Sequence, residues 1–99
     1  MRLTPAELAA VRDTVRAVAG ASATVRLFGS RVDDNARGGD IDLLVELETP
    51  VDSAVRLSAR IAARLQQVLG DRRIDVLIAA PSLPESPVHH VARASGVEV

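Results

Sequence analysis

Cysteine is absent from the 99 residues, which excludes disulfides, thiolate zinc sites and thiol catalysis. Lysine is absent too. All twelve basic residues are arginine, so no lysine nucleophile or Schiff base is available. Tryptophan and tyrosine are missing, and Phe28 is the single aromatic residue. The core must therefore be built from Leu, Val, Ile and Ala, and a row of base-stacking platforms is not available. A formal net charge of −1 argues against the general attraction to phosphate backbones that basic nucleic-acid binders show. No run approaches the roughly eighteen consecutive apolar residues of a membrane span. The N-terminal MRLTPAELAAVRD lacks the long apolar stretch of a secretory signal, so the expectation is a cytoplasmic chain with no membrane partner. Apolar residues nevertheless make up 47%, a globular rather than a disordered composition, and the length suits one domain over residues 1–99.

The pattern alternates between helical and strand periods. Thr4-Pro5-Ala6-Glu7 has a capping threonine, a proline at the first helical position and a glutamate able to reach back. Leu8, Val11, Val15 and Val18 then recur at helical spacing up to Gly20, which predicts a helix over 5–19. Residues 23–28, ATVRLF, read as a strand, followed by a brief helical turn from Ser30 and a break at Gly38-Gly39. A second strand spans 40–47, with Ile41, Leu43, Val45 and Leu47 on one face and Asp40, Asp42, Leu44 and Glu46 on the other. Thr49-Pro50-Val51-Asp52 opens a second long helix whose inward stripe would be Val55, Ile61, Leu65, Val68 and Leu69, ending at Gly70. Residues 72–79, RRIDVLIA, form a third strand. Pro81, Pro84 and Pro87 mark a loop, and 88–95 predicts a last short helix before Gly96. This is an α/β (α+β) domain in which helices pack on a small mixed sheet of three or four strands.

Two carboxylates in an apolar strand need a reason, since an unpaired buried charge costs several kcal/mol or takes up a proton. Asp40 and Asp42 share a face, roughly 7 Å apart at the backbone, and suit a divalent cation such as magnesium, which takes oxygen ligands. Asp75 is again a lone charge in an apolar run, on the face opposite Ile74, Val76 and Ile78. If the second and third strands are neighbours, Asp75 joins the pair, and three carboxylates around two cations can clamp the attacking and leaving oxygens of a phosphoryl displacement. Gly29-Ser30 stands where a strand ends. Glycine permits close backbone approach, and free amides and the Ser30 hydroxyl can donate to the phosphates of a triphosphate.

In this order FGSRVDDNARGGDIDLLVE followed by RRIDVLIA resembles the minimal nucleotidyltransferases of the DNA polymerase β superfamily. Their signature is an apolar residue, Gly-Ser, a gap, Asp-x-Asp in a strand and a third acid in a later strand. The resemblance implies a polymerase-β-like fold, nucleotide phosphates on Gly29 and Ser30, and magnesium on Asp40, Asp42 and Asp75, with Asp75 as metal ligand or as base for the attacking hydroxyl. It implies transfer of a nucleoside monophosphate, AMP from ATP, to a hydroxyl. Many minimal members are antitoxins of HEPN-domain toxins, so a partner protein is the implied acceptor. Here RVDDNARGG follows the Gly-Ser, in place of the Ala-Arg-Gly of the antitoxin form.

Other features carry two readings. Arg31 and Arg37 could neutralise a triphosphate or sit solvated beside Asp33 and Asp34. Asp75 could instead pair with Arg72 or Arg73. Arg56, Arg60 and Arg64 form a four-residue ladder, either a solvated face or a surface for an acidic partner or RNA. His89-His90 cannot chelate one metal from adjacent helical positions and suits a surface or capping role. The rival function is a non-catalytic antitoxin that neutralises its partner by occlusion. Three clustered carboxylates that repel one another without metal speak against it.

Overall fold

A computed structural model describes residues 3–29 and 40–99. The helical turn expected from Ser30 and the Gly38-Gly39 break lie outside the described residues. Helix α1 spans Pro5–Ala19. Its capping box forms as the sequence predicts: the Thr4 hydroxyl accepts the Glu7 N–H at 3.1 Å and the Thr4 N–H donates to Glu7 Oε1 at 2.8 Å. Strand β1 is Thr24–Phe28, β2 is Ile41–Glu46, helix α2 is Ala54–Leu69, β3 is Ile74–Ala79, helix α3 is Pro87–Ser95 and β4 is Val97–Glu98.

The sheet order is β3-β2-β1-β4, with β2 parallel to β3 and both pairings of β1 antiparallel. This is the mixed sheet expected. β4 is too short to have a readable alternation, yet it extends the sheet beyond β1. Strand β2 is central, and its Leu43, Leu44 and Val45 are fully buried.

One face of the sheet supplies Val25, Leu27, Ile41, Leu43, Val45, Ile74 and Ile78 to a core shared with Val11 and Val15 of α1 and Ile61 and Leu65 of α2. On the other face Leu44 and Ala79 pack against Ala92 of α3, with Phe28 and Leu77 at the margin. Glu46 on that face binds both Arg26 and Arg93 at 3.1 Å, and Arg93 grips Glu85 with two bonds of 2.9 and 2.8 Å. These ion pairs pin α3 across one end of the sheet.

Two expectations for α2 need correcting. Val55 and Val68 are exposed, at 79% and 54%, and do not belong to the inward stripe. At 100° per residue Val55 falls about 100° from the mean direction of Leu57, Ile61, Leu65 and Leu69, off the buried line, whereas Val68 shares their phase and is exposed in the last turn of the helix. The helix also begins later than Pro50. Ser53 is the cap, accepting the Arg56 N–H at 3.2 Å, while Val51 is held outside the helix by a 3.2 Å bond from its N–H to the Ser82 hydroxyl.

His89 is a buried cap, whereas His90 is exposed. The His89 Nδ1 accepts the Ser86 N–H at 3.0 Å, which leaves the proton on Nε2 to donate to the Ile78 carbonyl at 2.9 Å. The Arg73 and Ala79 carbonyls accept from β2, so by alternation the Ile78 carbonyl points to the free side of β3, and His89 closes part of that edge.

The helix phase gives a direct check. Leu65→Ala is expected to cost about 2–5 kcal/mol in chemical denaturation, and Val55→Ala no more than about 0.5 kcal/mol.

Candidate active site

Alternation along β2 places Asp42 on the α3 face of the sheet, between the buried Ile41 and Leu43 of the opposite face. The register then decides its neighbours. Phe28 of β1 lies opposite Asp42 on one side and Asp75 of β3 on the other. The three side chains form one row across three strands, at the end of the face that α3 leaves open. Asp40, exposed, precedes β2 on the same side of the chain's alternation. The register thus puts Asp42 beside Asp75 at one end of one sheet face, and Asp40 is near enough for its charge to act on Asp42. Ser30, Arg31 and Arg37 lie outside the described residues.

Gly29 follows Phe28 with φ of +72°, a left-handed conformation that favours glycine. A Cβ built there would collide with the Asp42 carboxylate and stand 3.2 Å from its Cγ. The sequence suggests that glycine lets a phosphate approach the backbone. The structure adds a second requirement: the bare Cα lets the Asp42 carboxylate lie against the chain where β1 ends. This contact joins residues thirteen apart and leaves no local sequence signal.

The electrostatics are those of crowded like charges. Burial is the largest influence raising the Asp42 carboxyl above the ordinary aspartate range, followed by the negative charges of Asp75 and Asp40. Arg73 opposes the rise, and a hydrogen bond with Asp75 adds to it. Arg73 Nε lies 3.4 Å from Asp75 Oδ2, with both side chains largely exposed. Asp75 therefore has both partners that the sequence left open, the arginine and the carboxylate row. Arg72 is committed elsewhere, to Glu7 at 2.8 Å.

The chemistry of this donor set fits a hard divalent cation: it offers oxygen ligands only, and it has excess negative charge at a half-buried carboxylate that a cation would relieve. Among the described residues no three acidic or histidine side chains already stand close enough together to hold an ion. The carboxylate tips must draw together for a cation to be held by all three.

Because the folded chain binds the Asp42 proton more tightly than the unfolded chain does, ionising it opposes folding. The penalty is absent below the ordinary aspartate pKa, grows as pH rises through that value and is complete above the raised folded value. Asp42→Asn is accordingly expected to raise the thermal midpoint at pH 7 without divalent ions, and the gain should vanish near pH 3, at the acid side of the ordinary aspartate range. Melting curves across pH check both.

No match is found among curated proteins. A model of the nucleotidyltransferase domain matches residues 8–94, a span running from α1 through nearly all of α3. The carboxylate row, the glycine beside it and strands β1, β2 and β3 fall inside that match, and the chain belongs to the nucleotidyltransferase domain family.

Proposed function

We propose that the protein transfers AMP from ATP to a hydroxyl on a partner protein, with Asp40, Asp42 and Asp75 holding magnesium and with Gly29 and Ser30 receiving the triphosphate. The observation that carries this reading is the alignment of Asp42 with Asp75 across parallel strands, beside Gly29, in a chain of the nucleotidyltransferase family.

Each residue's part follows from its position. Asp42, half-buried and central in the row, is the anchor around which the other carboxylates gather. Bound magnesium would neutralise the charge on the α-phosphate and on departing pyrophosphate. Gly29 keeps the Asp42 carboxylate in place and frees the backbone for phosphate contact, and Arg31 and Arg37 add positive charge to the triphosphate. Asp75 lies on the edge strand with its side chain 55% exposed, open to an incoming hydroxyl, whose proton it accepts. The acceptor oxygen bonds to the α-phosphorus as the bond from that phosphorus to the pyrophosphate oxygen breaks. Positioning and charge neutralisation supply most of the acceleration.

The exposure of Asp75 and Asp40 supports a macromolecular acceptor, because that end of the sheet is reachable from outside. The choice of ATP, and of a HEPN-type toxin as the protein neutralised, rests on the resemblance of the Gly-Ser and Asp-x-Asp pattern to antitoxin members. Incubation with α-labelled ATP, magnesium and a HEPN-domain protein encoded beside this chain tests the reading. Label should appear on the partner, with pyrophosphate released, and Asp42→Asn should lower the rate on the order of 10²–10³-fold with its circular dichroism unchanged. Neutralisation that persists in Asp42→Asn without label transfer would replace catalysis by occlusion.

A further inference from the structure

Helix α2, AVRLSARIAARLQQVL, carries three arginines and no acidic residue in a chain of net charge −1. Arg56, Arg60 and Arg64 are all exposed. Four residues at 1.5 Å rise set successive members about 6 Å apart along one line. Beside it runs a second exposed line of small apolar residues, Val55, Ala59 and Ala63. Most of the other described arginines differ from these three, Arg16 of α1 being an exposed exception with no ion pair among the described residues. Arg12, Arg26, Arg72, Arg73 and Arg93 each lie within 4.0 Å of a carboxylate, whereas among the described residues no ion pair involves the three arginines of α2.

Like charges four apart on a helix repel mildly, so the isolated chain bears a cost that a partner's carboxylates would remove. A line of small side chains lets a second helix approach closely, and guanidinium forks on its flank reach carboxylates across the contact. A groove of about 280 Å³, lined by Val51, Asp52, Ser53, Arg56, Leu57 and Arg60, adjoins the first two turns and has room for a side chain of the visitor. A nucleic-acid strand would match the charge alone. It would find no use for the apolar line and no aromatic platform, since Phe28 lies on the opposite face of the sheet.

We propose that the outer face of α2 docks an acidic helix of a partner protein, whose carboxylates at four-residue intervals pair with Arg56, Arg60 and Arg64. This surface is on the side of the sheet away from the carboxylate row, so the inference does not depend on the catalytic reading.

The test is an amide NMR titration of the ¹⁵N-labelled protein at low salt with three probes. One is an alanine-rich helical peptide bearing glutamates at i, i+4 and i+8, the second a peptide of identical composition with its glutamates scattered around the helix, and the third an oligouridylate. The spaced peptide should perturb α2 and bind about tenfold more tightly than the scattered one. The preference should disappear in the combined Arg56→Gln, Arg60→Gln, Arg64→Gln variant. The combined Arg56→Glu, Arg60→Glu, Arg64→Glu variant should lose the spaced acidic peptide and bind a fourth probe, its lysine-bearing counterpart, instead. Equal binding of both acidic peptides, absence of binding, shifts centred away from α2, or tighter binding of the oligouridylate would overturn the proposal. Asp42→Asn should leave this titration unchanged, which separates its result from that of the transfer assay.

Discussion

The parallel pairing of β2 with β3, in which Asp42 faces Asp75, governs the chemistry available to this chain. A slip of one residue would send the Asp75 side chain to the opposite face. What holds the register is the apolar half of the same alternation. Ile41, Leu43, Val45, Ile74 and Ile78 face α1 and α2 and are buried, each contributing about 1.5–3 kcal/mol. Opposed like charges cost roughly 0.2–1 kcal/mol per pair, so the core easily dominates. Bonds of 2.8 Å from the Ile41 N–H to Arg73 and from the Leu47 N–H to Ala79 fix both ends. Packing on one face thus imposes electrostatic crowding on the other.

The α3 face is divided along its length. At one end Leu44, Ala79 and Ala92 pack together, and Arg93 ties the helix to Glu46 and Glu85. At the other end stand Phe28, Asp42 and Asp75, partly open to solvent. The Asp42 carboxyl is desolvated enough to hold its proton more tightly, while Asp75 beside it stays largely exposed. Gly29 adds to this tension by allowing the carboxylate against the backbone, where any other residue would displace it.

Much of this was legible because strand alternation has a period of two. Charges at positions 40, 42 and 75 among apolar neighbours identified both their shared face and their exceptional character, and only strand adjacency remained to be established. The helix of residues 5–19 was equally readable, since its capping box is local. Hydrophobic identity was a poorer guide in α2: Val55 is apolar but lies off the phase set by Leu57, Ile61, Leu65 and Leu69, and Val68 shares that phase yet is exposed in the last turn. Ser53 took the cap from the earlier Thr-Pro signal because Val51 is bound to Ser82, a residue thirty-one positions away. β4 and the buried bonds of His89 likewise depend on partners brought near only by folding.

The central claim is that the carboxylates of β2 and β3 form one cation-binding row. The most direct measurement is the anomalous diffraction of manganese in crystals grown with a non-hydrolysable ATP analogue. The account predicts density bonded to both Asp42 and Asp75, with the triphosphate beside Gly29. Manganese found only at other acidic residues, with the side chains of Asp42 and Asp75 turned apart, would contradict it.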